Sequence, residues 1–117
     1  MRRKSRAAAP SLAYRDWLLE QLKNPAEAAA YIEAVIDEGD QAAIMLALRQ
    51  VAQAQGGVAV VARRAKLTRE ATYKMLSKAG NPALSSLTAV LAATGLRLAV
   101  KPAEKRQRKT SALKLAA

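Results

Sequence analysis

Six cationic side chains, Arg63, Arg64, Lys66, Arg69, Lys74 and Lys78, crowd into residues 63–78, where Glu70 is the lone acid. Cations at this density neutralise phosphate oxygens, and binding that rests on them weakens as salt rises. Arg, Lys and hydroxyl groups held on a rod can also reach base edges in a DNA major groove. Covalent and metal chemistry have far less to work with. The 117 residues include no Cys and no His. That removes disulfides, Cys/His metal sites, thiol nucleophiles and imidazole bases. Ser/Lys or carboxylate catalysis stays open on composition, but no spacing argues for it. A non-enzymatic protein without metal or cofactor is expected.

To use these cations, an element must present them. Val58–Ala65 and Thr68–Ser77 read as two short helices joined by a tight turn, the spacing of a helix-turn-helix over residues 58–77. Ala62 is small enough for the two to cross closely. Val61, Ala65, Leu67, Met75 and Leu76 supply apolar groups that hold the angle. With Thr72, Met75 and Leu76 inward, the second helix turns Arg69, Glu70, Tyr73, Lys74 and Ser77 outward as one contiguous face, as major-groove docking requires. Arg69, Tyr73, Lys74 and Ser77 are therefore the candidate base contacts. Arg63, Arg64, Lys66, Thr68 and Lys78 are the candidate backbone contacts, Thr68 adding a hydroxyl and a helix N-terminus. The same pattern also fits a solvated helical hairpin in which Glu70 and Lys74 form an i,i+4 ion pair.

The rest of the chain is built to carry such a unit. It is 51% hydrophobic but only 3% aromatic. Alanine fills the gap with 28 residues, while Val and Ile together number 10. That mix predicts an all-α fold of thin, closely approaching helices. It also leaves few stacking platforms for single-stranded nucleic acid. Ser11–Leu22 reads as a short helix or a partly extended lead-in. Asn24-Pro25-Ala26-Glu27 has the spacing of a capping box and opens a helix to Glu38, which Gly39 stops. Asp40 caps a helix over 41–55 that ends at Gly56-Gly57. Gly80-Asn81-Pro82 is a further break, followed by a helix from Leu84 to Thr94. Leu96–Val100 alternates, as a short C-terminal strand would, or as an extended segment packed on its own domain. A lone strand needs a partner, and a second copy in a homodimer would supply one.

One domain over residues 14–102 is expected, flanked by a basic disordered arm (1–13) and a basic disordered tail (103–117). There is no apolar run of transmembrane length, and Pro10, Arg15 and Asp16 interrupt any secretory core, so a cytoplasmic protein without membrane contact is expected. The net charge of +11 is unevenly spread. Residues 11–40 are acidic on balance, whereas residues 41–100 set eight basic groups against Glu70. Segregated signs point to two surfaces with two partners.

The stretch VARRAKLTREATYKMLSKAGNPALSSLTAVLAATGLRLAVKP resembles the downstream half of the addiction-module antidote proteins, HigA-type antitoxins with a λ-repressor-like (Cro/C1, Xre-type) DNA-binding domain. NPAEAAAYIEAVIDEGDQAAIMLALRQVAQAQGG resembles their upstream helices. The likeness spans roughly residues 14–102 and is most specific in Tyr-Lys-x-Leu-Ser, Gly-Asn-Pro and Gly-Leu-Arg-Leu. It implies a five-helix-type domain, a homodimer, double-stranded operator DNA as one partner, and a small RelE/ParE-type ribonuclease toxin as the other. An acidic surface suits a toxin whose own face is built for RNA, which singles out Glu33, Asp37 and Glu38 as candidate toxin contacts. The chain departs from the pattern at three places: Lys66 stands where the turn commonly has Gly, Thr72 where a larger apolar residue is usual, and Ala83 where a Ser cap is frequent. Two other functions fit the same residues. One is a stand-alone repressor without a toxin. The other is an architectural, nucleoid-associated protein whose basic tail binds DNA without sequence preference.

Overall fold

The computed structural model describes residues 12–103. Six helices make up this part: α1 (Leu12–Gln21), α2 (Pro25–Glu38), α3 (Gln41–Ala54), α4 (Val58–Ala65), α5 (Arg69–Met75) and α6 (Leu84–Ala93). The all-α expectation holds, with one helix more than the resemblance implied. Leu12 and Ala13, assigned above to a disordered arm, are in the first turn of α1, and Leu12–Gln21 is helical rather than a lead-in. The remainder of the basic arm and nearly all of the basic tail fall on residues 1–11 and 104–117, outside the described residues.

Helix boundaries follow from local chemistry. Asn24 Oδ1 accepts from the Ala26 amide at 2.8 Å and the Glu27 amide at 3.4 Å, with Pro25 in the first turn. Gly39 then takes φ 79°, and its N–H closes on Ile36 O at 2.9 Å. Glycine adopts this left-handed cap without the Cβ penalty. Asp40 starts α3 at once, its side chain accepting from Ala42 N at 3.2 Å.

α3 is the central rod. Met45, Ala47, Leu48, Val51, Ala52 and Ala54 are all buried, and α1, α2 and α4 pack on it. The small Ala47 and Ala52 let neighbours approach closely, as the alanine-rich composition predicted. The chain then bends by 88° into α4. α4 in turn packs on α5 and α6. Leu22, Val51, Val61, Leu76 and Val90 are fully buried. Each such side chain contributes on the order of 1.5–3 kcal/mol of apolar burial. Among the described residues no single helix is long and apolar enough to cross a membrane.

Residues 96–100 form no strand, contrary to one of the two readings above. No segment of the described chain offers them a ladder, so alternation alone leaves them irregular. Leu96 is tied down by its N–H to Leu91 O at 2.8 Å and packs against the core, but Leu98 is 47% exposed and Val100 100% exposed.

Tyr31 joins two helices by donating its hydroxyl to Gln50 Oε1. Burial raises this hydroxyl above its ordinary value of 10.0, and nearby Tyr14 adds in the same direction. The folded state therefore holds the phenolic proton more tightly than the unfolded chain does. The resulting stability is intact below the ordinary value and is lost as pH rises past it. Urea midpoints at about pH 8 and about pH 11 should fall less in Tyr31→Phe than in the wild type. An equal fall in both would show that Tyr31 contributes nothing to the alkaline loss.

Candidate nucleic-acid interface

α4 and α5 are short, and the turn between them fixes what they present. Lys66 closes α4 in the left-handed region, with φ 60° and ψ 39°. It is the one non-glycine residue with positive φ among the described residues. A side chain there costs about 1 kcal/mol of backbone strain. The turn nevertheless closes tightly, Leu67 N–H reaching Ala62 O at 2.9 Å and Lys66 N–H reaching Arg63 O at 3.1 Å. Ala62 is 1% exposed, as a close crossing needs.

Thr68 opens α5, its Oγ1 accepting from Ala71 N at 3.0 Å. Thr72, smaller than the usual occupant, is completely buried and donates its hydroxyl to Thr68 O at 2.8 Å. The polar atom is thus satisfied inside an apolar seat. Leu76, also completely buried, fills the space beyond it. Ala83 caps α6 without any side-chain hydrogen bond.

The outward face is narrower than the sequence implied. α5 ends at Met75, so Ser77 lies past the helix. Ser77 is half-buried, and its Oγ donates to Lys74 O at 2.7 Å, which leaves it only an acceptor. Arg69, Glu70, Tyr73 and Lys74 are exposed on α5. The Arg69 guanidinium lies 5.8 Å from the Tyr73 ring centroid, a cation–π distance that holds it against the helix surface. Glu70 and Lys74 do not pair: the ion pairs among the described residues are Lys23–Glu20 and Lys101–Glu33. Arg63, Lys66, Thr68 and Lys78 are exposed around this face. Arg64 is exposed too, but its Nη1 reaches Ala93 O at 3.5 Å, toward the C-terminal end of α6. α5 has only 7 residues, so Thr68 offers its hydroxyl rather than a substantial helix dipole.

Two residues that sequence reasoning passed over, Arg49 and Gln41, hold this unit from behind. Arg49 Nη1 donates to Leu76 O, and Gln41 Nε2 donates to Gly80 O at 2.9 Å. Arg49 is the single charged residue of α3, and a lone charge on an apolar helix was the available signal. Gly80 leaves no room for a side chain: a Cβ there would sit 1.9 Å from Met75 O.

The acidic candidates lie elsewhere. Glu33, Asp37 and Glu38 are exposed on α2, and Glu33 Oε1 pairs with Lys101 Nζ at 3.1 Å. Asp37 and Glu38 occupy the last turn, where the helix dipole disfavours negative charge. Glu33 and Lys101 border an apolar cleft of about 540 Å³ between α2, α3, α6 and residues 95–101, walled by Ile32, Ile36, Leu48, Leu87 and Leu98.

Residues 16–102 match the family described as probable addiction module antidote proteins, from within α1 to beyond α6. This chain belongs to that family. A protein of Haemophilus influenzae Rd, described only as uncharacterized, is 32% identical over 82 residues, covering 70% of this chain and 84% of its own length. No solved structure matches the chain. An addiction-module antidote implies a toxin as its partner, and the family is typically non-enzymatic.

Gly80→Ala should cost about 1–3 kcal/mol, because the new methyl meets a backbone carbonyl that cannot rotate away. Chemical denaturation of the two proteins measures this, and an unchanged midpoint would mean that the 76–82 turn yields freely.

Proposed function

We propose that this antidote is a HigA-type antitoxin that binds the operator of its own operon and neutralises a small RelE/ParE-like toxin. In this reading α4 and α5 are a λ-repressor-like helix-turn-helix, with α5 in the major groove. The observation that carries it is the division of α5 and its cap: Thr72 and the C-cap Leu76 are wholly buried while Arg69, Tyr73 and Lys74 stand exposed. Arg69, Tyr73 and Lys74 then read base edges, with Ser77 limited to accepting a bond at the margin. Arg63, Lys66, Thr68 and Lys78 hold phosphates, and Arg64 joins them by leaving its weak contact with α6. A homodimer would present two such helices to a palindromic operator. The exposed Leu98 and Val100, on a segment with no ladder partner, are the surface such a dimer would cover. The toxin meets α2, where Asp37 and Glu38 are free of ion pairs among the described residues and adjoin the apolar cleft through Ile36.

Arg69→Ala and Lys74→Ala should each weaken binding to the chain's own promoter duplex by about 1–3 kcal/mol in a gel-shift titration. Full retention of binding by both variants would assign the groove to another element. For the toxin face, Asp37→Lys with Glu38→Lys should slow association with the neighbouring gene's product about tenfold or more at low salt, followed by stopped flow. An unchanged rate would move the toxin off α2.

A further inference from the structure

We propose that Arg49 is a positioning residue that sets the DNA specificity of α5 without touching DNA; this rests on the reading of α5 as the groove-entering helix. α5 packs principally on α4, which leaves its far end to be located by other means. That end is where the chain turns from Leu76 through Gly80. Arg49 Nη1 donates to the carbonyl of buried Leu76, and Gln41 Nε2 donates to Gly80 O at 2.9 Å. Both anchors come from α3, about 12 Å apart along its axis. α3 is itself fixed by Met45, Ala47, Leu48, Val51 and Ala52, all 4% exposed or less. The helix with the most buried side chains among those described therefore holds both ends of the 76–80 turn.

The Arg49 bond is charge-assisted, and its acceptor, the carbonyl of the C-cap Leu76, lies where a helix end leaves carbonyls without intrahelical partners. Arg49 is half-buried and lines a cleft together with Tyr14 and Leu18 of α1 and Leu46 and Gln50 of α3. A phosphate contact would need its guanidinium at the exposed face of α5, whereas it is held at the carbonyl of buried Leu76. Base readout demands placement of side chains to a fraction of an ångström, whereas phosphate attraction tolerates displacement. Loosening this tether therefore removes discrimination before it removes affinity.

The test uses the full chain as wild type, Arg49→Met and Arg49→Lys, titrated against its own promoter duplex and a scrambled duplex of equal length at several salt concentrations. Arg49→Met should lower the preference for the promoter by about tenfold, the scale of one mismatched base pair, with affinity for the scrambled duplex and the salt slope unchanged. Arg49→Lys should recover part of the preference. In the free protein, amide exchange over residues 74–80 should quicken in Arg49→Met while Val51 and Ala52 keep their protection. Equal losses on both duplexes with a salt slope reduced by about one would make Arg49 a phosphate contact and overturn the proposal. An unaltered preference in the folded variant overturns it too. Should Arg49→Met not fold, Gln41→Ala releases the second anchor from a surface position and must lower the preference in the same way; no change there refutes the tether. A wild-type chain that does not discriminate between duplexes defeats the reading of α5 itself, and the exchange measurement then decides separately whether Arg49 holds the turn.

Discussion

A helix of 7 residues cannot sustain itself, because nucleation costs more than its few internal hydrogen bonds return. The exposed cations of α5 therefore depend on the burial of two side chains, Thr72 and Leu76, against the rest of the domain. Thr72 is the tighter constraint. Its hydroxyl must be satisfied inside, and the Thr68 carbonyl one turn back does this. The whole apparatus is arranged in series: α3 carries α4 across a bend of 88°, α4 carries α5, and α3 returns through Arg49 and Gln41 to hold α5 at its exit.

Much of this was legible in the chain. Asn24 before Pro25, Gly39 before Asp40 and Thr68 before Arg69 mark helix starts and stops by chemistry confined to a few residues, and each sits where local rules put it. The inward placing of Val61, Ala62, Thr72 and Leu76 followed from 3.6-residue periodicity. What escaped reading was non-local. Nothing in the sequence near Leu76 says that Arg49, 27 positions earlier, donates to its carbonyl. Nor does the alternation of Leu96–Val100 reveal whether a second strand exists to pair with it. Ser77 was placed on α5 because periodicity does not announce where a helix ends; its hydroxyl turning back to Lys74 O is part of that ending.

The charge map takes on a spatial sense in the fold. Acids gather on α2 and cations on the α4–α5 unit, and α3 separates them, with Arg49 as its one charge. Apart from both, Lys101 near the end of the described chain pairs with Glu33 on the acidic helix. An exposed pair of this kind contributes little to stability.

Lys66 has a consequence for the stability of the whole domain. Holding a lysine at φ 60° takes about 1 kcal/mol from a domain whose total stability is only several times that. Such a loss multiplies the unfolded population about fivefold. Where opening and reclosing outpace cleavage, proteases act in proportion to that population. A single backbone angle in the turn thus weighs on every process that draws on the unfolded population.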